Sequence, residues 1–212
     1  MDGVEFDTQV TTDNVIICVH DATISGVSAT TGKTVTITPQ ECTLAQVKDV
    51  ILASTDDFGD IYIPTLDEAL TFFRYHDMLC VNDNKNKGSM EESAFWEQMA
   101  TQVVLHNMGG MINYRCYGYE ETVKAIDPTG GFVIQLISSG TTENTNFLTT
   151  KAAGKNTYAY GGPDFSAVLP FYPDMIEFQS VEAAIAQTTA YIESLRFFDN
   201  ALNKQSTFSI ES

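Results

Sequence analysis

The stretch Thr65-Leu66-Asp67-Glu68 is a capping box, in which a hydroxyl residue and an acid three positions later satisfy each other's free backbone amides at the start of a helix. The same pattern recurs at Thr43-Leu44-Ala45-Gln46 and at Ser89-Met90-Glu91-Glu92. A run of apolar residues with helical spacing follows each match. The three patterns therefore predict helices over residues 43 to about 53, 65 to about 80, and 89 to 106 or 107.

The forty residues before these helices are predicted to form strands. Runs rich in β-branched residues occur at 14–20, 22–28 and 33–38. Gly26, Gly32 and Lys33 approximate a phosphate-binding loop, but five residues instead of four separate the glycines, and Lys33 opens a strand rather than a helix. This segment is therefore predicted to be a hairpin turn.

The second half of the chain begins with strands and loops and ends in a predicted helix. The run Gly131–Ile137 is typical of a buried strand, and residues 138–162, rich in Thr, Asn and Gly, indicate a long loop or arm. A final helix is predicted over 180–203, followed by a polar tail at 204–212. The sequence thus predicts an α+β fold in a single domain over residues 1–212: an N-terminal β-hairpin or sheet, three capped helices, further strands and a long C-terminal helix.

The final predicted helix carries a narrow apolar seam with heptad-like spacing. Its apolar members are Val181, Ile185, Ile192, Leu195 and Leu202. Two interpretations are open, because such a seam packs either on the sheet of its own domain or on another subunit. In the second case these five residues form an interface.

The charge balance excludes several classes of partner. The chain has 28 acidic and 11 basic residues, for a formal net charge of −17, and its three arginines are scattered. Nucleic acid and anionic membranes repel such a protein. A signal peptide and an apolar stretch of about 18 residues are both missing from the sequence, which predicts a protein made in the cytoplasm. Four cysteines without a CxxC pair are predicted to be free thiols.

Candidate metal ligands are few. Residues 82–88 lie where a calcium loop between two helices would lie, but Lys85 and Lys87 occupy ligand positions, so a solvated connection is predicted. The acids Asp56, Asp57 and Asp60 form a local cluster, and whether they bind a cation is left open.

His76 and Cys80 have the spacing of two zinc ligands on one helix face, and Cys18 and His20 provide a second pair only if the fold brings the pairs together. The sequence contains neither a GxSxG elbow nor a GxGxxG or HExxH motif. No catalytic, cofactor-binding or metal-binding residue is therefore assigned from the sequence, and no cofactor is predicted.

The stretch Ser25–Thr38, a hairpin of Ser, Gly, Val, Thr and Ile, resembles hairpins of bacterial Ig-like and phage tail or head proteins. The resemblance implies a non-enzymatic structural subunit of a tailed-phage virion (neck, tail or head accessory), located in the virion and associating with its own copies or other virion proteins. The alternative is a cytoplasmic enzyme or small-ligand-binding domain with a cleft near Asp56–Asp60 or Gly161-Gly162-Pro163-Asp164. Converging titratable groups in a cleft would favour the enzyme.

Overall fold

A computed structural model of the chain describes residues 3–137, 156–159 and 175–176. Contacts divide the chain into two compact units, 1–134 and 135–212, and each is considered by itself. The single-domain organisation stays a prediction.

The first unit contains, in chain order, β1 (Gly3–Val10), β2 (Ile16–Cys18), β3 (Ile24–Ser28), β4 (Thr34–Ile37), a 3-10 turn (Pro39–Glu41), α1 (Leu44–Lys48), β5 (Val50–Ile51), β6 (Ala53–Thr55), β7 (Gly59–Ile61), α2 (Leu66–Tyr75), β8 (Leu79–Asn86), α3 (Glu92–Leu105), β9 (Ile112–Tyr114), α4 (Glu120–Lys124) and the start of β10 (Gly131–Ile137). The second unit contains β11 (Asn156–Ala159) and β12 (Met175–Ile176), which pair in parallel.

A parallel sheet forms the centre of the first unit. Its strands follow the order β2, β1, β8, β9, β10, and every pair is parallel except β1 with the edge strand β2. Helix α3 connects β8 to β9, and α4 connects β9 to β10. Parallel neighbours require such crossovers, because the chain must return to the starting edge of the sheet. The mixed helix-and-strand composition is thus confirmed, but strands and helices alternate here instead of segregating as an α+β fold requires.

The two faces of this sheet differ in chemistry because successive side chains of a strand point to opposite sides. Phe6 and Val10 of β1 lie in the main core, together with Ile112 and Tyr114 of β9. Helices α2 and α3 supply further large members of this core, namely Leu66, Leu70, Phe73, Phe95, Trp96 and Met99. The alternate positions of β1, which are Glu5, Asp7 and Gln9, lie on the other face, so both acidic residues of this strand share one side of the sheet.

Two of the three predicted capping boxes are confirmed. The hydroxyls of Thr43 and Thr65 accept from the third amide of α1 and α2, and the side chains of Gln46 and Glu68 accept from the amides of the two threonines. The third prediction is wrong, because α3 begins at Glu92 and its N-cap residue Glu91 makes no side-chain cap. A side chain caps a helix in this way only if its residue lies directly before the first helical residue, and Ser89 does not occupy that position.

Two helices are shorter than predicted. Helix α1 ends at Lys48, and the chain passes directly into β5. Helix α2 ends at Tyr75 because Asp77 adopts the left-handed conformation, with φ 49°, and the Met78 amide donates to the Phe73 carbonyl at 3.0 Å. This contact across the end of the helix is a Schellman arrangement, which stops a helix.

The strand predictions are confirmed for β2, β3, β4 and β10. The predicted turn between β3 and β4 is also confirmed, with Gly32 at φ 67°. The four cysteines are free thiols. Among the described residues, no helix combines the length and apolar character that crossing a bilayer needs.

Several predictions fall on residues that the structure does not describe. The helix over 180–203, its seam of Val181, Ile185, Ile192, Leu195 and Leu202, and the tail at 204–212 lie outside the described residues. Within the predicted arm at 138–162, only β11 is described.

Candidate active site

Three carboxylates meet on the polar face of the parallel sheet. Glu5 and Asp7 come from β1, and Asp83 comes from the neighbouring β8, where it pairs in register with Asp7. One carboxylate oxygen from each residue lies within 4.8 Å of the other two, and all three residues are half-buried. Carboxylates at this separation repel one another unless cations lie between them.

Two basic side chains contact this carboxylate cluster. The Lys85 ammonium lies 2.6 Å from Asp83 Oδ2 and 3.1 Å from Asp7 Oδ1. The Arg115 guanidinium lies 2.7 Å from the same Asp83 Oδ2. Burial lowers the pKa of Lys85, but hydrogen bonds and charge interactions with Asp83 and Asp7 outweigh it and raise that pKa above its ordinary value. Lys85 is therefore a stable cation of the site.

A β-bulge positions Lys85. The pairing of β1 with β8 shifts between Thr8 and Gln9, so that Thr8 faces Asn84 while Gln9 faces Asn86. Lys85 is the extra residue that faces no partner on β1. Bulges re-aim side chains in this way, and they occur often beside active sites.

His20 follows β2, close enough to Asp7 and Lys85 for both charges to affect its pKa. Its ring Nδ1 lies 2.9 Å from Asp21 Oδ1, and 68 % of its side chain is exposed. The hydrogen bond to Asp21, with support from the charge of Asp7, raises the pKa of His20 above its ordinary value of 6.5. Because Asp21 occupies Nδ1, the other ring nitrogen is the one that can exchange a proton with a ligand.

The buried amide of Gln9 anchors the segment that carries His20. Its Nε2 donates to three consecutive carbonyls, those of Val19 at 3.3 Å, His20 at 3.0 Å and Asp21 at 2.9 Å. The Val19 amide donates to the Asp7 carbonyl at 3.1 Å. The histidine is thus fixed through its backbone to the strand that supplies two of the carboxylates.

This arrangement matches the binding of a hard divalent cation and a phosphate. Mg²⁺, Ca²⁺ and Mn²⁺ prefer carboxylate oxygens, which the cluster supplies from three residues. Lys and Arg side chains bind phosphate oxygens, and Arg does so with two parallel donors. A histidine with a raised pKa is a suitable general acid at neutral pH.

The family model of the glycerophosphoryl diester phosphodiesterase family matches residues 1–114, which is more than half of the chain. The chain belongs to this family.

Solved structures of glycerophosphodiester phosphodiesterases share the fold. A putative glycerophosphoryl diester phosphodiesterase from Agrobacterium tumefaciens is 16% identical, with 91% of this chain and 87% of that chain covered and a TM-score of 0.62. A phosphodiesterase from Oleispira antarctica, solved with the product sn-glycerol-3-phosphate, is 18% identical over 83% and 80% of the two chains, with a TM-score of 0.60. A putative member from Silicibacter pomeroyi is 14% identical over 81% and 78%, with a TM-score of 0.59. No curated protein matches by sequence.

The family match overturns the predicted virion role. The predictions of a non-enzymatic structural subunit, of resemblance to tailed-phage virion proteins and of location in the virion are wrong, and the enzyme alternative is closer. The resemblance at Ser25–Thr38 covers only the β3–β4 hairpin, and hairpins of β-branched residues recur in unrelated folds. The predicted association with its own copies or with other proteins stays a prediction.

The metal-ligand candidates suggested by the sequence lie away from the cluster of Glu5, Asp7 and Asp83. The acids at 56, 57 and 60 lie on the exposed β6–β7 hairpin, and Asp60 accepts from the Ser54 hydroxyl at 2.8 Å. His76 caps α2 at the surface, whereas Cys80 is buried in the core. Among the described residues, Glu5, Asp7 and Asp83 are the one group of three or more potential ligands close enough to share an ion.

Sequence reasoning missed this site because β8 looks like a loop and because β1, although it lies in the region predicted to form strands, is outside the three β-branched runs. Residues 82–88 were predicted to connect two helices, and instead most of them belong to β8. The signal was present in β1, where Glu5 and Asp7 alternate with Val4, Phe6 and Thr8. Acids are depleted from strands, so two of them on one face of an otherwise alternating strand indicate a functional position.

Proposed function

We propose that this chain is a phosphodiesterase that hydrolyses glycerophosphodiesters with the help of a divalent cation. The observation that carries the proposal is the contact of three clustered carboxylates with Lys85 and Arg115, in a chain that belongs to the glycerophosphoryl diester phosphodiesterase family. The Oleispira relative, whose fold this chain shares, is solved with sn-glycerol-3-phosphate, which supports the same product here.

We infer that the first unit is built on the plan of a TIM-like barrel. The parallel β8–α3–β9–α4–β10 succession is the repeat of that fold, and Arg115 directly follows the carboxyl end of β9. Active sites of such barrels lie at the carboxyl ends of the strands. Asn82 pairs with Tyr114, the last residue of β9, so the next residue Asp83 and its partner Asp7 lie level with the carboxyl end of β9.

Each residue of the site has a chemical task in the proposed reaction. Glu5, Asp7 and Asp83 would hold the cation, which when bound polarises a phosphoryl oxygen. Lys85 and Arg115 bind the non-bridging phosphate oxygens and fix the diester. His20, protonated because of Asp21, donates a proton to the leaving alcohol oxygen.

The net reaction is a hydrolysis and needs only water as co-reactant. The bond between phosphorus and the alcohol oxygen breaks, and a bond between phosphorus and the water oxygen forms. His20 gives its proton to the departing alcohol and is reprotonated by the proton that the water releases. The products are a phosphate monoester, sn-glycerol 3-phosphate, and a free alcohol.

The test is hydrolysis of sn-glycero-3-phosphocholine by the purified chain, followed as release of sn-glycerol 3-phosphate. We expect activity with Mg²⁺, Ca²⁺ or Mn²⁺, loss of it in EDTA and recovery on adding the ion back. Glu5→Gln and Asp83→Asn should lower kcat at least about 100-fold, because even groups that only support a metal ligand cost about 10- to 100-fold.

Asp57→Asn is the matched control, since Asp57 lies on the exposed β6–β7 hairpin and should leave kcat unchanged. Full activity of Asp83→Asn, or inactivity of the wild-type chain with all three ions, would contradict the proposal.

A further inference from the structure

Arg115 is a residue of the site that the family match does not include. The match ends at residue 114, and Arg115 follows immediately, at the end of β9. Its amide donates to the Asn82 carbonyl at 3.3 Å, which continues the pairing of β9 with β8. Only 12 % of its side chain is exposed, so the guanidinium is held inside the site and not at its edge.

The contact between Arg115 and Asp83 conflicts with a cation at the same carboxylate. Asp83 Oδ2 accepts from Lys85 at 2.6 Å and from Arg115 at 2.7 Å, so one carboxylate oxygen contacts two positive groups. A divalent cation bound to Asp83 would be repelled at short range by both Lys85 and Arg115. Lys85 bridges two carboxylates of the cluster, Asp83 at 2.6 Å and Asp7 at 3.1 Å.

The formal charges of the site indicate where Arg115 goes. The formal charges of Glu5, Asp7, Asp83, Lys85 and Arg115 sum to −1. A bound divalent cation reverses that sign and leaves one positive charge in excess. A phosphodiester carries one negative charge, so cation and diester together make the site neutral, whereas either one alone leaves it charged.

We propose that Arg115 exchanges partners during binding: it pairs with Asp83 until a divalent cation binds that carboxylate, and it then moves to the substrate phosphate. The inference rests on the proposed function and adds to it a coupling between the two ligands. A cation that binds Asp83 frees Arg115 for the phosphate, and a phosphate that binds Arg115 frees Asp83 for the cation. Each ligand therefore tightens the binding of the other. The planar guanidinium suits this exchange, since its parallel donors match both a carboxylate and a phosphate.

The experiment measures binding rather than turnover. Mn²⁺ is titrated into the full chain and free Mn²⁺ is read by electron paramagnetic resonance, with and without sn-glycerol 3-phosphate. In the wild-type chain we expect sn-glycerol 3-phosphate to lower the Kd of Mn²⁺ by a factor within the usual range of about 5 to 150. In Arg115→Gln we expect Mn²⁺ alone to bind several-fold more tightly and the effect of sn-glycerol 3-phosphate to fall to about twofold or less.

Arg74→Gln is the matched control, because Arg74 also pairs with an aspartate, Asp77 at 2.6 Å, but lies at the end of α2. It should leave both Mn²⁺ constants unchanged. If Arg115→Gln fails to fold by circular dichroism, Arg115→Lys replaces it; that variant keeps the charge but lacks the two parallel donors, and should lose most of the coupling.

Weaker binding of Mn²⁺ alone to Arg115→Gln with wild-type coupling would mean that Arg115 only supports Asp83, which overturns the exchange. Wild-type coupling in Arg115→Lys as well as Arg115→Gln also overturns it. If the wild-type chain neither binds Mn²⁺ nor hydrolyses sn-glycero-3-phosphocholine, the proposed function fails together with this inference. If it does both, and only the coupling is absent, the proposed function stands and the exchange alone is rejected.

Discussion

At the scale of single residues, the proposed reaction depends on the protonation of His20, which neighbouring charged side chains control. Asp21 accepts from His20 Nδ1 at 2.9 Å, and that hydrogen bond is the largest contribution to the raised pKa of His20. Asp7 adds to it, while burial and the Lys85 charge act in the opposite direction. His20 therefore keeps its proton to a higher pH than a free histidine.

The first prediction at this scale concerns the pH dependence of hydrolysis. A general acid works only while protonated, so kcat falls as pH rises through the pKa of His20. Asp21→Asn removes the negative charge that stabilises the imidazolium, so the pKa falls and the alkaline limb of the kcat profile moves to lower pH. The measurement is kcat against pH with saturating Mn²⁺, and Asp77→Asn, which breaks a surface ion pair, is the control. An alkaline limb in Asp21→Asn identical to that of the wild type would contradict the assignment of His20.

At the scale of elements, the short edge strand β2 has to hold His20, the proposed general acid, in a defined position. Strand β2 has three residues, which pair with β1 over Ile16–Cys18 and form one further bridge from Ile17 to Thr65, and His20 lies beyond this pairing. Gln9 supplies the missing constraint through its three carbonyl contacts from the adjacent strand. It is a positioning residue, since it acts on the substrate through His20.

We therefore predict that Gln9→Ala lowers kcat by about 10- to 100-fold, the usual effect of a misplaced catalytic group. The Kd of Mn²⁺ should stay within about twofold of the wild type, because Glu5 and Asp7 are held by the pairing of β1 with β8. Gln98→Ala is the matched control, as Gln98 also donates to a backbone carbonyl, that of Asn14 at 3.2 Å. A parallel loss of Mn²⁺ binding and kcat would show that Gln9 supports the whole strand instead of positioning His20.

The elements also show which parts of the fold are readable from the sequence. Capping boxes predict where α1 and α2 begin, and β-branched runs predict β3–β4, because local chemistry determines these features. Strand β8 escapes prediction because residues 82–86 have the composition of turns. Strand β1 lies within the forty residues predicted to form strands but outside the three β-branched runs, because Glu5 and Asp7 are residues that strands disfavour. Parallel pairing and the ion pairs of the site stabilise these strands, and both are contacts between residues distant in sequence. The residues hardest to read as strand are thus the ones that form the site.

At the scale of the whole molecule, the chain combines a negative field with a local phosphate site. The formal net charge is −17, whereas the site itself places Lys85 and Arg115 among its carboxylates. In the proposed reaction, short-range contacts with these two basic side chains bind the phosphate, but the approach of an anion takes place in the field of the whole protein. Substrate charge should therefore affect the rate even when the reacting phosphodiester is the same.

The last prediction compares two diesters at different ionic strengths. The Debye length falls from about 30 Å at 0.01 M to about 8 Å at 0.15 M, so added salt screens the long-range repulsion more than the contacts inside the site. For glycerophosphoglycerol, which carries one net negative charge, we expect kcat/KM to rise about threefold or more over this range. For zwitterionic sn-glycero-3-phosphocholine it should change little. Mn²⁺ is kept saturating, and sucrose at equal osmolality controls for effects other than screening. A fall in kcat/KM for the anionic diester would mean that the two basic residues, and not the net charge of −17, control the field that a substrate meets.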